Sequence, residues 1–310
     1  MDSVNQPRVA VMGAGAVGTY FGALLARAGV SVHLIGRAPH VSVVASRGLR
    51  FESVRGDWTQ RIAGGTDAAA ASQSELVLVC VKSLDTEAAA RELAPHLRPD
   101  AVVLSLQNGV DNAERLARLL PVPVLPALVY VAAALPAPGH LLHTGRGDLV
   151  IGVPRGETRV SPEQVARLAA MFESADVPCR VSEDIERELW TKLVINCAYN
   201  AISALGQSDY GRMVASPAVV ALMHAATLEA VAVARASGVC LDEDALIASV
   251  DALAPAMPRQ TSSTAQDIAR GRVSEIDVLN GYVVRRGEAQ GVAVPVNRSL
   301  WTLVKLREAA

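Results

Sequence analysis

Lys192, Asn196 and Asn200 stand four residues apart in the run ELWTKLVINCAYN, which is otherwise largely apolar. Helical i, i+4, i+8 spacing aligns them on one face. An ammonium and two amides on such a face can hold a carbonyl compound, stabilise charge growing on its oxygen and protonate it. Burying all three without partners would be costly, so the face must meet something polar. Spacing alone also fits a blander arrangement, a Glu188–Lys192 surface pair with the amides capping a neighbouring loop.

A second set of residues points to a phosphate-bearing ligand. Gly13-Ala14-Gly15-Ala16-Val17-Gly18 comes directly after the apolar run Arg8–Met12 and directly before a helical pattern. In that setting Gly13 permits a tight turn, Gly15 lets a pyrophosphate approach the backbone, and Gly18 lets the helix pack on the strand. The helix N-terminus then offers free N–H groups and a favourable dipole to the anion. Gly36-Arg37 closes the next strand, where an NAD-preferring fold usually carries Asp or Glu. A guanidinium cannot accept from a ribose 2′-hydroxyl but pairs well with a 2′-phosphate. NADPH is therefore expected over NADH, unless Arg37 is simply solvated. Lys82 ends the run ELVLVCVK, and Asn108 follows AVVLSLQ ahead of Gly109. Both are read at C-terminal strand ends, where open parallel sheets bind ligands and where turn formers and solvated charges also occur.

These residues need elements to position them. Arg8–Met12, the glycine turn, a helix closed by Gly29 and a strand Ser31–Ile35 form a βαβ unit, whose two strands should lie parallel. The alternation continues with strand Glu75–Val81, helix Thr86–Ala94 stopped by Pro95, strand Ala101–Leu106 and helix Asn112–Leu120. Leu49–Ile62 reads as a hairpin around Arg55-Gly56-Asp57. Val122–Val153 reads as strands and loops rich in Pro and Gly, with His140 and His143 as a loop pair lacking a third metal ligand. Ser161–Ala175 is a helix capped by Ser161, and Val177–Val181 a further strand. After about residue 183 only helices are expected: Asp184–Ala204, Ser216–Ser237, Asp242–Ala254, Ile276–Gln290 and Val296–Glu308. The fold class is thus α/β, with a Rossmann-type doubly wound domain over 1–183 and an all-helical domain over 184–310.

Composition narrows the function classes. The 310 residues are 51% hydrophobic and 19% charged, the reverse of a disordered chain. A formal net charge of −2 and 4% aromatics argue against a nucleic-acid surface or base-stacking platform. The four cysteines are scattered in apolar surroundings with no C-x-x-C pair, as expected of buried thiols in a reducing compartment. MDSVNQPRVAVMG lacks the form of a signal segment, and the longest apolar run, near Leu125–Leu135, is too short to span a bilayer. A cytoplasmic protein with no membrane partner and no metal is expected. The apolar stretch Val219–Val233 fits internal packing and a homodimer interface equally.

Taken together, the motifs resemble the ketopantoate reductase (2-dehydropantoate 2-reductase) family. The pieces are GAGAVGTYFGALLARAG, Arg37, VK at Lys82, QNGVDN at Asn108, ELWTKLVINCAYN, SSTAQDIARGRVSEIDVLNGYVVRRGEAQGVAVP and the trailing LVK, spanning residues 13–305. The resemblance implies NADPH-dependent reduction of 2-dehydropantoate to (R)-pantoate, feeding pantothenate and coenzyme A. It implies Lys192 as the proton donor to the keto oxygen and Glu275 as the acid supporting the substrate hydroxyl and the reaction. Asn196 and Asn200 match substrate-binding amides, and Ser263 the residue bonded to the substrate carboxylate, though Ser262 and Ser263 also read as a helix cap and its follower. Asn108 matches a residue between cofactor and substrate, and Glu275 also borders the cofactor. Gly13 to Gly18, Arg37 and Lys82 match the side holding the dinucleotide.

Two stretches depart from the family pattern. Ser83-Leu84-Asp85-Thr86 replaces a segment that often carries an aromatic residue and Gln, and places Asp85 near the expected 2′-phosphate. Gln207-Ser208-Asp209 alters the segment after Ala204-Leu205-Gly206, which borders the substrate pocket in the family. A different 2-keto acid is therefore the alternative substrate. A non-catalytic NADPH sensor is the alternative from another class; it would be marked by loss of Lys192 or Glu275, and both are present.

Overall fold

The computed structural model describes residues 8–309; the first seven residues, part of the stretch read as free of a signal segment, lie outside them. The chain divides into two compact units at Ile185/Glu186. In the N-terminal unit, strand β1 (Arg8–Met12) leads through the glycine turn into helix α1 (Ala16–Arg27), then β2 (Ser31–Ile35) and α2 (Ala38–Arg47). A hairpin β3 (Leu49–Ser53) and β4 (Trp58–Gln60) follows, then β5 (Ala63–Gly65), β6 (Leu76–Val79), α3 (Thr86–Leu93), β7 (Val102–Ser105) and α4 (Asn112–Ala117). Two long strands, β8 (Val124–Ala137) and β9 (His140–Ile151), precede α5 (Pro162–Ser174) and β10 (Cys179–Val181).

Among the described residues these strands form one ten-stranded sheet, ordered β4-β3-β9-β8-β7-β6-β1-β2-β5 with β10 beside β9. The stretch β5-β2-β1-β6-β7-β8 is wholly parallel. Its strands are apolar on both sides because both sides are covered. In β1, Val9 and Val11 join a cluster with Phe21, Leu25 and Phe172, while Ala10 and Met12 join one with Ala89, Leu93 and Leu116. Helices α1 and α5 thus cover one face and α3 and α4 the other. This is the doubly wound architecture expected from the alternating pattern.

The second unit is helical throughout: α6 (Ile185–Gly206), α7 (Tyr210–Val214), α8 (Pro217–Ala236), α9 (Glu243–Ala256), α10 (Ser263–Ala269), α11 (Asn280–Gln290) and α12 (Pro295–Glu308). Among the described residues helix α8, rather than the Leu125–Leu135 run, is the one helix long and apolar enough by length and composition to cross a bilayer. In the fold it buries Met223, Ala226, Ala230, Val231, Val233 and Ala234 and leaves Leu222 and Leu228 exposed.

Several expected boundaries shift. The segment 122–153 is not a series of strands and loops but two continuous strands, which pair antiparallel across a turn at residues 138–139. His140 and His143 accordingly lie on β9 rather than in a loop. The ring of His143 is bonded to the Ser53 hydroxyl at 2.8 Å and that of His140 to Glu52 at 3.0 Å. The expected helix Ile276–Gln290 is broken at Leu279 (φ −106°, ψ −108°) into a 3-10 turn, Ile276–Val278, and α11. The break accompanies side-chain bonds from Trp301 and Lys305 to Asp277 in that turn. The helices α2 and α7 are additional to those read from the sequence, and the helix read as capped by Ser262 is α10.

Candidate active site

In the N-terminal unit the glycine turn is shaped by two close approaches and one opening. Gly13 has φ +104°, and a Cβ there would lie 2.6 Å from the Val81 nitrogen, so only glycine fits. A Cβ on Gly18 would collide with the Gly13 carbonyl and sit 2.8 Å from a Val11 methyl. Around Gly15 there is no atom within 4 Å of the missing Cβ, and the residue is exposed. Gly15 is also the N-cap of α1 and provides no side-chain cap, leaving the first-turn N–H groups of Ala16, Val17 and Gly18 to an outside acceptor. Ala14 is locked under the turn by its N–H to Ile35 O at 3.0 Å. The cradle fits a dinucleotide pyrophosphate: closed where the backbone must pack, open where phosphate must enter.

The other cofactor-side residues stand around this turn. Gly36 faces the Ala14 methyl, which would sit 2.7 Å from a Cβ there, so the end of β2 packs against the turn. Arg37 follows as the N-cap residue of α2, with an exposed side chain. Strand β6 ends at Val79, earlier than expected, because Cys80 and Val81 arch over Gly13. Lys82 therefore stands in the loop beyond, exposed, ahead of a 3-10 turn Ser83–Asp85. Asn108 lies in the loop after β7, half-buried, before Gly109 at φ +99°.

Sequence reasoning missed what joins those two loops. Asn112 donates to Asn108 O (2.6 Å) and to Ser83 Oγ (3.1 Å), while its own oxygen accepts from Thr86 Oγ1 and Arg115 Nη1, each at 3.0 Å. Gln107 donates to Val81 O (3.1 Å) and Thr86 Oγ1 (2.8 Å). Arg115 closes the network on Glu87 with bonds of 2.7 Å from Nε and Nη2, and its bond holds the Glu87 carboxyl below the usual range. The available signal was the density of amides in QNGVDN, more than a turn requires.

In the helical unit α6 carries Lys192, Asn196 and Asn200 on successive turns, the first two half-buried and Asn200 buried. The Asn200 carbonyl accepts from the Ser262 hydroxyl at 3.1 Å. The same hydroxyl caps α10 by accepting from the Ala265 N–H at 3.0 Å, and the Ser262 N–H donates to Ser203 Oγ at 3.1 Å. Ser262 is thus the cap and Ser263 the exposed first residue of α10, held beside the Asn200 turn. Asn280 ties α11 to the same helix, donating to Cys197 O at 3.1 Å. Glu275 stands on its own segment, half-buried, at the N-cap position of the 3-10 turn. Among the described residues no group of three or more His, Cys, Asp or Glu is arranged to hold a metal.

Comparison with known proteins decides the family. Residues 9–156 match the model "Ketopantoate reductase PanE/ApbA", and residues 184–308 match its C-terminal counterpart. A 2-dehydropantoate 2-reductase of Halobacterium salinarum is 36% identical over 306 residues, covering 97% of this chain and 99% of that protein. The chain belongs to the ketopantoate reductase PanE/ApbA family. A crystal structure of a PanE/ApbA family ketopantoate reductase from Ralstonia eutropha JMP134 superposes with a TM-score of 0.90 at 49% identity, covering 97% of this chain and 98% of the other. A D-mandelate dehydrogenase solved with NADH and anilino(oxo)acetate shares the fold at a TM-score of 0.89 and 23% identity, covering 97% and 98%. Membership makes the protein an oxidoreductase, and with the Rossmann-type unit it implies a nicotinamide cofactor.

Proposed function

We propose that the chain reduces 2-dehydropantoate to (R)-pantoate with NADPH. The observation that carries the proposal is the row Lys192, Asn196, Asn200 on one face of α6, in a family member whose other unit presents an open pyrophosphate turn. When bound, NADPH supplies the hydride that reaches the 2-keto carbon. Lys192 donates its proton to the keto oxygen, which would otherwise carry the charge left by that transfer. Asn196 and Asn200 orient the substrate through their amides, and Ser263, left free of capping duty by Ser262, bonds its carboxylate. Glu275 accepts from the substrate hydroxyl. Arg37 and Lys82 hold the adenosine 2′-phosphate, and Asn108 lies between cofactor and substrate. Balanced charge supports a small-molecule acid as partner, and four free thiols support a reducing, cytoplasmic setting.

One observation favours a second reading. The altered Gln207-Ser208-Asp209 segment is built into the helical unit, with Gln207 bonded to Ala204 O at 2.8 Å and Ser208 O accepting from Ser203. A related 2-keto acid would then be the substrate, as the shared fold of D-mandelate dehydrogenase illustrates. Steady-state oxidation of NADPH across ketopantoate, the keto acid of mandelate and simpler 2-keto acids separates the readings. Ketopantoate should give the highest kcat/KM; no turnover with it overturns the substrate. Lys192→Ala should bind NADPH normally and lose kcat by about a hundredfold or more; retained turnover overturns its role.

A further inference from the structure

The last helix of the chain ends in an unusual feature. Glu308, in the final turn of α12, has a side chain only 6% exposed. A carboxylate is rarely buried without partners. Here it accepts from the Ser274 N–H at 2.8 Å and the Ser274 hydroxyl at 2.6 Å, and it pairs with Lys305 at 2.8 Å. Lys305 also bonds Asp277 at 3.0 Å, and the Trp301 indole N–H donates to the other Asp277 oxygen at 2.7 Å. Burial pushes the Lys305 ammonium down, but its bonds to Glu308 and Asp277 outweigh that and hold it above its ordinary value. The Trp301 ring reaches this position because Gly281 has no Cβ, which would sit 2.9 Å from the indole nitrogen.

Four of these bonds land on Ser274 or Asp277, one residue before and two residues after Glu275. We propose that Trp301, Lys305 and Glu308 are positioning residues for the reaction: the C-terminal helix fixes the short segment that presents Glu275. The inference rests on the role proposed above for Glu275. A 3-10 turn has poorer hydrogen bonds than an α-helix and seldom holds its own shape. Bonds on both flanks of Glu275, two accepted by Glu308 and two by Asp277, replace what the turn lacks. A carboxylate displaced by about 1 Å from a reacting group can cost on the order of a hundredfold in rate.

The test uses the full chain with NADPH and the best keto acid. Lys305→Met and the near-isosteric Glu308→Gln should each lower kcat by about ten- to a hundredfold, while the Kd for NADPH, carried mainly by the glycine turn and Arg37 in the other unit, changes far less than kcat. In a Glu275→Gln background the same substitutions should cost nothing further, because the group they position is already gone. A control, Arg298→Met, removes the 2.8 Å pair from α12 to Glu288 on α11 and should leave kcat unchanged. Full kcat in a folded Glu308→Gln, or losses that simply add to that of Glu275→Gln, overturns the inference. If Glu275→Gln itself turns over normally, the role of Glu275 falls and the inference with it. If Glu275→Gln is inactive and Glu308→Gln is not, only the inference falls.

Discussion

At Arg37 the chain leaves β2 with an exposed cation at the N-cap of α2, two residues beyond Ile35. A charge-assisted bond to a 2′-phosphate contributes about 1.5–3 kcal/mol, roughly a ten- to hundredfold preference. Arg37→Glu should therefore weaken NADPH binding by that factor and strengthen NADH binding, since a carboxylate accepts from the 2′-hydroxyl. Titration of both dinucleotides by calorimetry measures the ratio; an unchanged ratio would show that Arg37 is only solvated. The place of Arg37 just past the end of β2 was legible because the second strand of a βαβ unit follows the glycine turn at a fixed spacing. Ser262 and Ser263 were legible as a pair but not apart. Which of two adjacent serines caps a helix depends on where the helix begins, and a shift of one residue exchanges their roles.

Elements were legible where apolar periodicity was strong and illegible where prolines interrupted it. Strand β8 runs through Pro126 and Pro136, which read as breakers. Yet the β8–β9 register slips between Ala134 and Ala137, so Pro136 sits at an irregularity where the ladder asks no N–H of it. The two loops after β6 and β7 were found, but not the buried network joining them, because hydrogen bonds across elements leave no period in a sequence. Asn112 is its centre, 2% exposed and engaged at both oxygen and nitrogen. Asn112→Leu strands several buried donors and acceptors at about 1–3 kcal/mol each. Some will relax, so a loss of about 2–4 kcal/mol, or roughly 4–16 °C in the melting of the N-terminal unit, is expected. NADPH binding should weaken as well, because the loops carrying Lys82 and Asn108 are no longer held together. Calorimetric melting with a dinucleotide titration checks both; a stable variant with unchanged Kd would reduce the network to packing.

Across the whole molecule the titrating groups are unevenly shared between the two units. Burial holds the His33 and His40 rings below their ordinary value of 6.5. His40 accepts from the Gly139 N–H at Nδ1 (3.1 Å), so its proton sits on Nε2, facing the Thr19 hydroxyl at 3.2 Å. That neutral ring bolts α1, α2 and the β8–β9 turn together. Glu87 and Glu157, bonded by Arg115 and Arg159, titrate below the usual carboxylate value of 4.5. All four groups lie in the N-terminal unit. In the helical unit the resolved shifts of Tyr199, Tyr210, Cys197 and Lys305 are all upward and act on the alkaline side. The unfolded chain takes up protons on His33 and His40 below about pH 6.5 that the folded unit refuses, so their contribution is complete above that pH and erodes as pH falls. The carboxylates add their loss only below about pH 4.5. Between pH 7.5 and 5, amide-exchange protection factors should therefore fall in β1, α1 and α2 while those of α8 and α9 hold. His40→Gln, which keeps an acceptor and a donor but cannot ionise, should remove part of that fall. Loss of protection in α8 and α9 before α2 would show that acid stability is set elsewhere than in these two histidines.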